Sequence, residues 1–148
     1  MRPKDLTMPE RALWRAFPRG EWVDLCDGDP GVDDPGEARH WGNERVVRAE
    51  VIAALLLGAL DPEPGKVAAL RLRGARIAGR LDVSSSSVGV ALYLGRCRLD
   101  EVPEFSGAAT RTIRFNGCDL DGFGGRSLRI DGEFSLEGSR VHRDSSKS

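Results

Sequence analysis

The sequence predicts a mainly β protein, a short right-handed parallel β-helix of about four coils with an N-terminal α-helical cap. Three observations predict this fold: a motif that recurs every 21–22 residues, strand-like alternation within each copy, and an apolar helix before the first copy. We expect a helical cap with an acidic loop over residues 1–67, the solenoid over 68–141, and a disordered tail over 142–148.

The recurring motif reads apolar-x-apolar-x-x-small-x-apolar in four gap-free copies. Its period is 22, then 21 and 21 residues, and the copies begin at Leu70, Leu92, Ile113 and Phe134. Residues two apart in a strand face the same side, so each copy turns its apolar side chains inward. A period of this length fits one turn of a coil that pairs with the turns above and below. The predicted core consists of Leu72, Ile77, Leu94, Leu99, Phe115, Leu120, Leu136 and Val141.

The small position of the motif lies two residues before its last apolar residue. A narrow coil needs a small side chain beside each bulky one, because overpacking is destabilising. We therefore interpret Cys97 and Cys118 as small inward residues stacked in adjacent coils, with a redox pair or a soft-metal site as the alternative. The same position holds Ala75 and Ser139 in the other two copies.

Two stretches interrupt the regular pattern. A weaker half-period copy runs over residues 81–88, but residues 100–110 and 121–129 break the five-residue register. Pro103 and the glycines at 122, 124 and 125 are residues that weaken strands and favour turns. We expect both stretches to bulge or loop out on one side of the coil.

The small-x-aliphatic units GARI, RCRL, GCDL and GSRV resemble those of the pentapeptide-repeat family, whose fold is a right-handed quadrilateral β-helix. The resemblance covers about half of the chain, and the coil length departs from a strict multiple of five. Some members of that family resemble DNA in shape and charge and bind topoisomerases. This solenoid carries 11 Arg and 9 Asp/Glu, a net charge of +2, which disfavours a topoisomerase or nucleic-acid role.

Two helices are predicted before the repeats. The first covers residues 9–17, with Thr7 or Met8 near its N-cap, and the second runs over residues 44–60, capped by Asn43. The second helix carries an apolar stripe and ends about ten residues before the first repeat. It is well placed to cover the exposed core and strand edges of the first coil.

The order of GEWVDL, an RAEVIAALLLGA-like helix and RLRGARI resembles a group of bacterial proteins often labelled membrane-associated oxidoreductases. That resemblance implies an enzyme or an accessory subunit at a membrane. The residues themselves give it no chemistry, since glycines 122–125 do not follow a strand-helix unit of the dinucleotide-binding type. The most apolar run, residues 51–57, is also far shorter than the roughly 20 residues that span a bilayer.

No catalytic or metal-binding pattern is found. The acidic loop holds Asp24, Asp27, Asp29, Asp33 and Asp34, but an EF-hand counted from Asp27 would place Gly31 and Ala38 at ligand positions. His40 and His142 have no nucleophile or carboxylate at a diagnostic spacing. We expect a solvated acidic loop, no catalytic residue, no metal, no cofactor and a non-enzymatic protein.

Arginines on the coils are expected to point outward. Carboxylates interrupt them, and the whole chain has a net charge of −1, which favours a mixed solvated face over a nucleic-acid site. The set is Arg71, Arg73, Arg76, Arg96, Arg98, Arg111, Arg114 and Arg129.

The expected interaction surface is the C-terminal end. No second helix is predicted after the last repeat, so this coil presents unpaired backbone groups. We predict a structural or scaffolding module that forms a homo-oligomer through Phe134, Leu136 and Val141; an unidentified protein partner, or a longer solenoid of which this chain is a fragment, are the alternatives. With no signal-peptide pattern and 19 Arg against 3 Lys, a cytoplasmic bacterial protein is expected and membrane binding is not.

Overall fold

The structure, a computed structural model, describes residues 5–142 of the chain. Within them lie the α-helices α1 (Met8–Ala16) and α2 (Ala49–Leu56), and short 3₁₀ helices over Phe17–Arg19, Pro35–His40 and Asn43–Arg45. The strands, in chain order, are β1 (Trp22–Asp24), β2 (Val46–Arg48), β3 (Ala69–Arg73), β4 (Arg76–Ala78), β5 (Ala91–Gly95), β6 (Arg98–Leu99), β7 (Ala109–Thr110), β8 (Ile113–Asn116), β9 (Asp119–Leu120), β10 (Arg129–Ile130), β11 (Phe134–Ser135) and β12 (Arg140–Val141).

All strand pairs are parallel, and the chain forms a β-solenoid of about three turns. The first sheet has the order β1-β3-β5-β8-β11, the second has the order β2-β4-β6-β9-β12, and β7 pairs with β10 on a further face. Single bridges that join Asp82 to Glu104 and Glu104 to Gly124 mark a fourth face. Each full coil is therefore four-sided, and its side chains fill a narrow interior.

The strand register reproduces the period of the sequence motif. Leu92 pairs with Leu70 on one side and with Ile113 on the other, which are 22 and 21 residues away. Ile77 pairs with Leu99 in the second sheet, in the column that continues to the end of the solenoid. The predicted mainly β solenoid is confirmed, with about three turns rather than four, because the last copy supplies only two faces before the described chain ends.

The expectation that residues 100–110 and 121–129 bulge out is wrong. Both stretches stay in the coil, where Glu104 forms bridges to the coils on either side and β7 pairs with β10. Phe105 is fully buried. On this side, successive coils turn at equivalent residues with positive φ, which are Ser85, Gly107 and Ser127. These turns redirect the chain without taking it out of the stack.

The predicted helix over residues 44–60 is also wrong at its start. Residues 46–48 form β2, which pairs with β4, and the α-helix covers only Ala49–Leu56. Asn43 begins a separate 3₁₀ turn, so the N-cap of α2 is Arg48 instead of Asn43, and the helix ends at Leu56 instead of residue 60. Val46 and Val47 are β-branched and suit a strand, and β4 offers them a free edge. An unpredicted strand, β1, extends the first sheet in the same way by pairing with β3. Both N-terminal strands thus prolong the solenoid beneath the helices.

The N-terminal cover is held by a buried ion pair. Thr7 caps α1 through a capping box with Glu10, as its position in the sequence predicts. The Glu10 carboxylate is completely buried and accepts hydrogen bonds from the Arg48 guanidinium at 2.8 and 3.0 Å. Burial alone would raise the pKa of Glu10, but the hydrogen bonds from Arg48 and Thr7 outweigh it and lower the pKa to about 2. This pair ties α1 to β2.

Candidate interaction surface at the C-terminal coil

The last coil ends in three strands with free outer edges. β10, β11 and β12 each pair with the preceding coil, and among residues 5–142 no further strand lies beyond them. Their inner bonds are well formed, as shown by the 2.8 Å bonds that the amides of Arg140 and His142 donate to carbonyls of the coil below. The outer backbone groups of these strands are a template for another strand.

Apolar side chains accompany these free edges. Phe134 is 42% exposed and Val141 is 41% exposed, whereas Ile113 and Leu120, their equivalents one coil below, are 0–1% exposed. Leu136 is partly buried and packs against the core. The interface residues predicted from the sequence therefore lie together at the uncovered end, where the side chains that inner coils bury are open to solvent.

Stacked aromatic rings support this end from below. Phe123 lies 5.1 Å from Phe105 in a stacked arrangement and contacts Phe134 edge-on at 5.2 Å. It also lies at 6.0 Å from Phe115. The residue in the register position of Phe105 is Gly125, and the Phe123 ring lies where a Cβ on Gly125 would come within 3.1 Å of it. Sequence reasoning missed this cluster, although the replacement of a large residue by glycine was its visible signal.

The predicted core residues fall into two groups. Leu136 is only partly buried and Val141 is exposed, and both belong to the last coil. The other six are fully buried in the inner coils, and they are Leu72, Ile77, Leu94, Leu99, Phe115 and Leu120.

The outward arginines form a face of mixed charge. All eight are partly or fully exposed. Arg71 lies over the Tyr93 ring, with its guanidinium carbon 4.9 Å from the ring centroid. Most of the others meet a carboxylate from their own or a neighbouring coil: Arg73–Asp24 at 3.3 Å, Arg76–Asp100 at 3.0 Å, Arg98–Asp121 at 3.1 Å, Arg111–Asp131 at 3.5 Å and Arg114–Glu133 at 3.4 Å.

The acidic loop is organised around one buried ion pair. Asp33 accepts hydrogen bonds from the amides of Asp27 and Gly28 and from Arg45, each at 2.8 Å. Burial raises the pKa of Asp33, but these hydrogen bonds outweigh it and lower the pKa. Arg45 also stacks on Trp41, 3.7 Å from the ring centroid. Within residues 5–142, no group of three His, Cys, Asp or Glu side chains could hold a metal ion.

The cysteines and histidines take structural positions. Cys97 and Cys118 are free thiols, buried in successive coils, and each Sγ lies 3.3 Å from a backbone carbonyl oxygen. Burial raises the pKa of the Cys97 thiol well above its usual value, which disfavours its thiolate form. His40 lies 3.5 Å from the Glu37 carboxylate, and His142 contacts Asp119. Residues 143–148 of the predicted disordered tail lie outside the described residues.

No family model, curated protein or solved structure matches this chain. The resemblance to membrane-associated oxidoreductases therefore finds no support in these comparisons. In the described part of the chain, neither α1 nor α2 combines the length and apolar character needed to cross a bilayer. The oxidoreductase and topoisomerase alternatives and the cytoplasmic location stay predictions.

Proposed function

We propose that this protein is a non-enzymatic structural module, a β-solenoid of pentapeptide-repeat type that binds a second copy of itself through its C-terminal coil. One observation carries the proposal. The three strands of the last coil have free outer edges, and two of these strands carry Phe134 and Val141, which are 42% and 41% exposed. Free strand edges pair readily with other strands, and burial of apolar side chains between them adds a driving force. The four-sided coils and the small-x-aliphatic units support the repeat type.

The covered N-terminal end limits how two copies meet. α1 and α2 pack over β1, β2 and β3, so in the part of the chain that the structure describes this end offers no open coil to a second solenoid. Copies consequently meet C-terminal end to C-terminal end, related by a two-fold axis. Such an interface uses the same patch on both copies and closes on itself, which gives a dimer and not a filament.

The charges around the end favour a second copy over a partner of one dominant sign. The exposed charged residues of the last coil balance, with three arginines and three acids. Two such surfaces meet without net electrostatic repulsion, whereas a strongly acidic or strongly basic partner would gain no net electrostatic attraction. The residues are Arg126, Arg129, Asp131, Glu133, Glu137 and Arg140.

Light scattering coupled to size-exclusion chromatography, over a hundredfold range of protein concentration, tests the proposal. We expect the mass of the wild-type chain to rise from monomer to dimer and to stop there. Phe134→Lys places a charge in the interface and should keep the protein monomeric. Val67→Lys is the matched control, because Val67 is 84% exposed and lies outside the last coil, and this variant should dimerise like the wild type.

Two outcomes contradict the proposal. One is a wild-type chain that stays monomeric at the highest concentration while circular dichroism shows it folded. The other is a Phe134→Lys variant that dimerises as strongly as the Val67→Lys control, which would place the interface elsewhere.

A further inference from the structure

A second surface runs along the corner between the two five-stranded sheets and reaches the last coil at Gly138 and Arg140. It is a groove of about 770 Å³, within the range of small-molecule sites. It is lined by Gly117 and Gly138, which lie at the same corner position of successive coils, and by Gly95, which lies one residue before that position and pairs with Arg73 and Asn116.

Arg96 departs from the pattern of this corner. The equivalent residues of the other coils are Gly74, Gly117 and Gly138, with φ of +75°, +65° and +71°. Arg96 adopts the same left-handed conformation, with φ of +47°, which is sterically unfavourable for a residue with a side chain. Since the left-handed conformation belongs to this corner in every coil, the unusual feature is an arginine where the other coils have glycine, and its side chain calls for an explanation.

The Arg96 side chain is available for a ligand. It is exposed, its stem passes over Gly117, and it lines the groove. Among the described residues 5–142 it makes no hydrogen bond or ion pair, and its one marked electrostatic partner is Asp34, which already pairs with Arg140. Arg96 thus brings to the groove a guanidinium whose donors are not used by any described residue.

The groove as a whole favours anions. Three arginines, Arg73, Arg96 and Arg140, line it together with a single acid, Asp34. The guanidinium group offers a planar fork of donors that matches phosphate or carboxylate oxygens. The ion pairs of Arg73 and Arg140 are themselves about half exposed, so they are screened by water and can turn toward a ligand.

An aromatic surface borders the same groove. Trp22 is 50% exposed and lies 6.3 Å from Tyr93, which in turn carries the Arg71 guanidinium on its face. An exposed indole next to arginines provides a stacking surface for a flat ring beside a site for its anionic group.

From these features we infer that the corner groove binds a small phosphate-bearing ligand with a flat ring, of the nucleotide class. Arg96 contacts the phosphate, with Arg73 and Arg140 beside it, and Trp22 stacks on the ring. This inference does not depend on the dimer at the C-terminal coil. It also gives a reason for an arginine at a position where the fold prefers glycine.

The test uses adenosine monophosphate as the probe, with inorganic phosphate and adenosine as separate arms, in isothermal titration calorimetry of the full chain. We expect adenosine monophosphate to bind at least tenfold more tightly than inorganic phosphate or adenosine alone. Trp22→Ala should reduce its affinity to that of inorganic phosphate.

Arg96→Gly makes the corner like those of the other coils, so its melting temperature should equal or exceed that of the wild type while nucleotide affinity falls at least tenfold. Arg126→Ser is the matched control, since it also replaces an exposed arginine with the residue at the same position of the preceding coil, Ser106. This control should bind like the wild type.

Several results overturn the inference. They are absence of nucleotide binding to the folded wild-type chain, unchanged binding by Arg96→Gly, and an equal loss in the Arg126→Ser control. Binding of inorganic phosphate as tight as that of adenosine monophosphate would overturn the assignment of the flat ring to Trp22.

Discussion

The two ends of the solenoid use the same kind of parallel strand but are completed differently. At the N-terminal end, α1 and α2 cover the first coil, and Leu13, Phe17 and Ile52 are each at most 1% exposed. At the C-terminal end the last rung meets no further element among residues 5–142, and Phe134 remains 42% exposed. The comparison teaches that paired strands alone do not bury the apolar side chains and backbone edges at the end of a solenoid. Each end needs a covering element, from its own chain or from another.

The largest expected effect is on the free energy of unfolding, and it should differ between the middle and the end of one column of core residues. Leu94 and Leu136 occupy the same inward column, but Leu94 is 1% exposed and Leu136 only partly buried. Leu94→Ala should lower the free energy of unfolding by about 2–5 kcal/mol, because it leaves a cavity in a packed core. Leu136→Ala should cost about 1 kcal/mol, since solvent already reaches its site.

Urea denaturation at a protein concentration low enough to suppress association measures both values. Equal losses in the two variants would mean that the last rung is packed as firmly as the middle, and the contrast between the ends would be lost.

An intermediate effect comes from the same substitution made at each end. Glu10→Gln removes the charge that pairs with Arg48 beneath the N-terminal cover, where the Glu10 side chain is 0% exposed. We expect a loss of about 2–3 kcal/mol, below the full cost of breaking a buried pair because Arg48 retains some solvent. Glu133→Gln breaks the Arg114 pair at the open end, where Glu133 is 59% exposed, and should cost no more than about 0.5 kcal/mol.

Chemical denaturation near neutral pH compares the two Gln variants. A Glu133→Gln variant as destabilised as Glu10→Gln would show that the ion pairs of the two ends are equivalent, contrary to the account.

The buried Glu10 pair also predicts a pH dependence. The pKa of Glu10 is lowered to about 2 from its ordinary 4.5. Because the folded state holds the proton less tightly than the unfolded state, this carboxylate stabilises the fold above pH 4.5, and its contribution is lost as the pH falls toward 2. Between pH 5 and 2.5, wild-type stability should fall more steeply than that of Glu10→Gln, as measured by thermal melts. Parallel curves would contradict this role.

The smallest effect is a difference in thiol reactivity that leaves stability unchanged. Burial and the neighbouring Asp24 raise the pKa of the Cys26 thiol to about 11, so it labels slowly, but it lies only partly buried in the loop after β1. Cys97 and Cys118 lie inside the coils. Mass spectrometry of a native labelling time course should find Cys26 modified first. Earlier modification of Cys97 would show that the middle coils open more readily than the cover.

Much of the solenoid could be predicted because one repeat fixes many contacts at once. The spacing of Leu70, Leu92 and Ile113 gives the register of the first sheet directly, since equivalent residues stack. The capping box could be predicted because its two partners, Thr7 and Glu10, lie only three residues apart. The positions of Phe134 and Val141 in the fourth copy of the motif also place them in the last coil of the described residues.

Other features depend on contacts that no short window of sequence contains. The Val47–Val51–Leu55 stripe suits a helix, but Val47 joins a strand because the edge of β4, about thirty residues later, is free to pair with it. The corner groove was missed because Trp22, Arg96 and Arg140 come from three distant segments. Its signal was present at one position, an arginine where the other coils have glycine, but only the positive φ shows why that exchange is unusual.

Amide hydrogen exchange at low and at high protein concentration tests the central claim most directly. If a second copy covers the open end, protection of the amides in β11 and β12 should increase at least tenfold on concentration, while those in β3 and β5 stay unchanged. Protection in β11 and β12 that is the same at both concentrations would contradict the account.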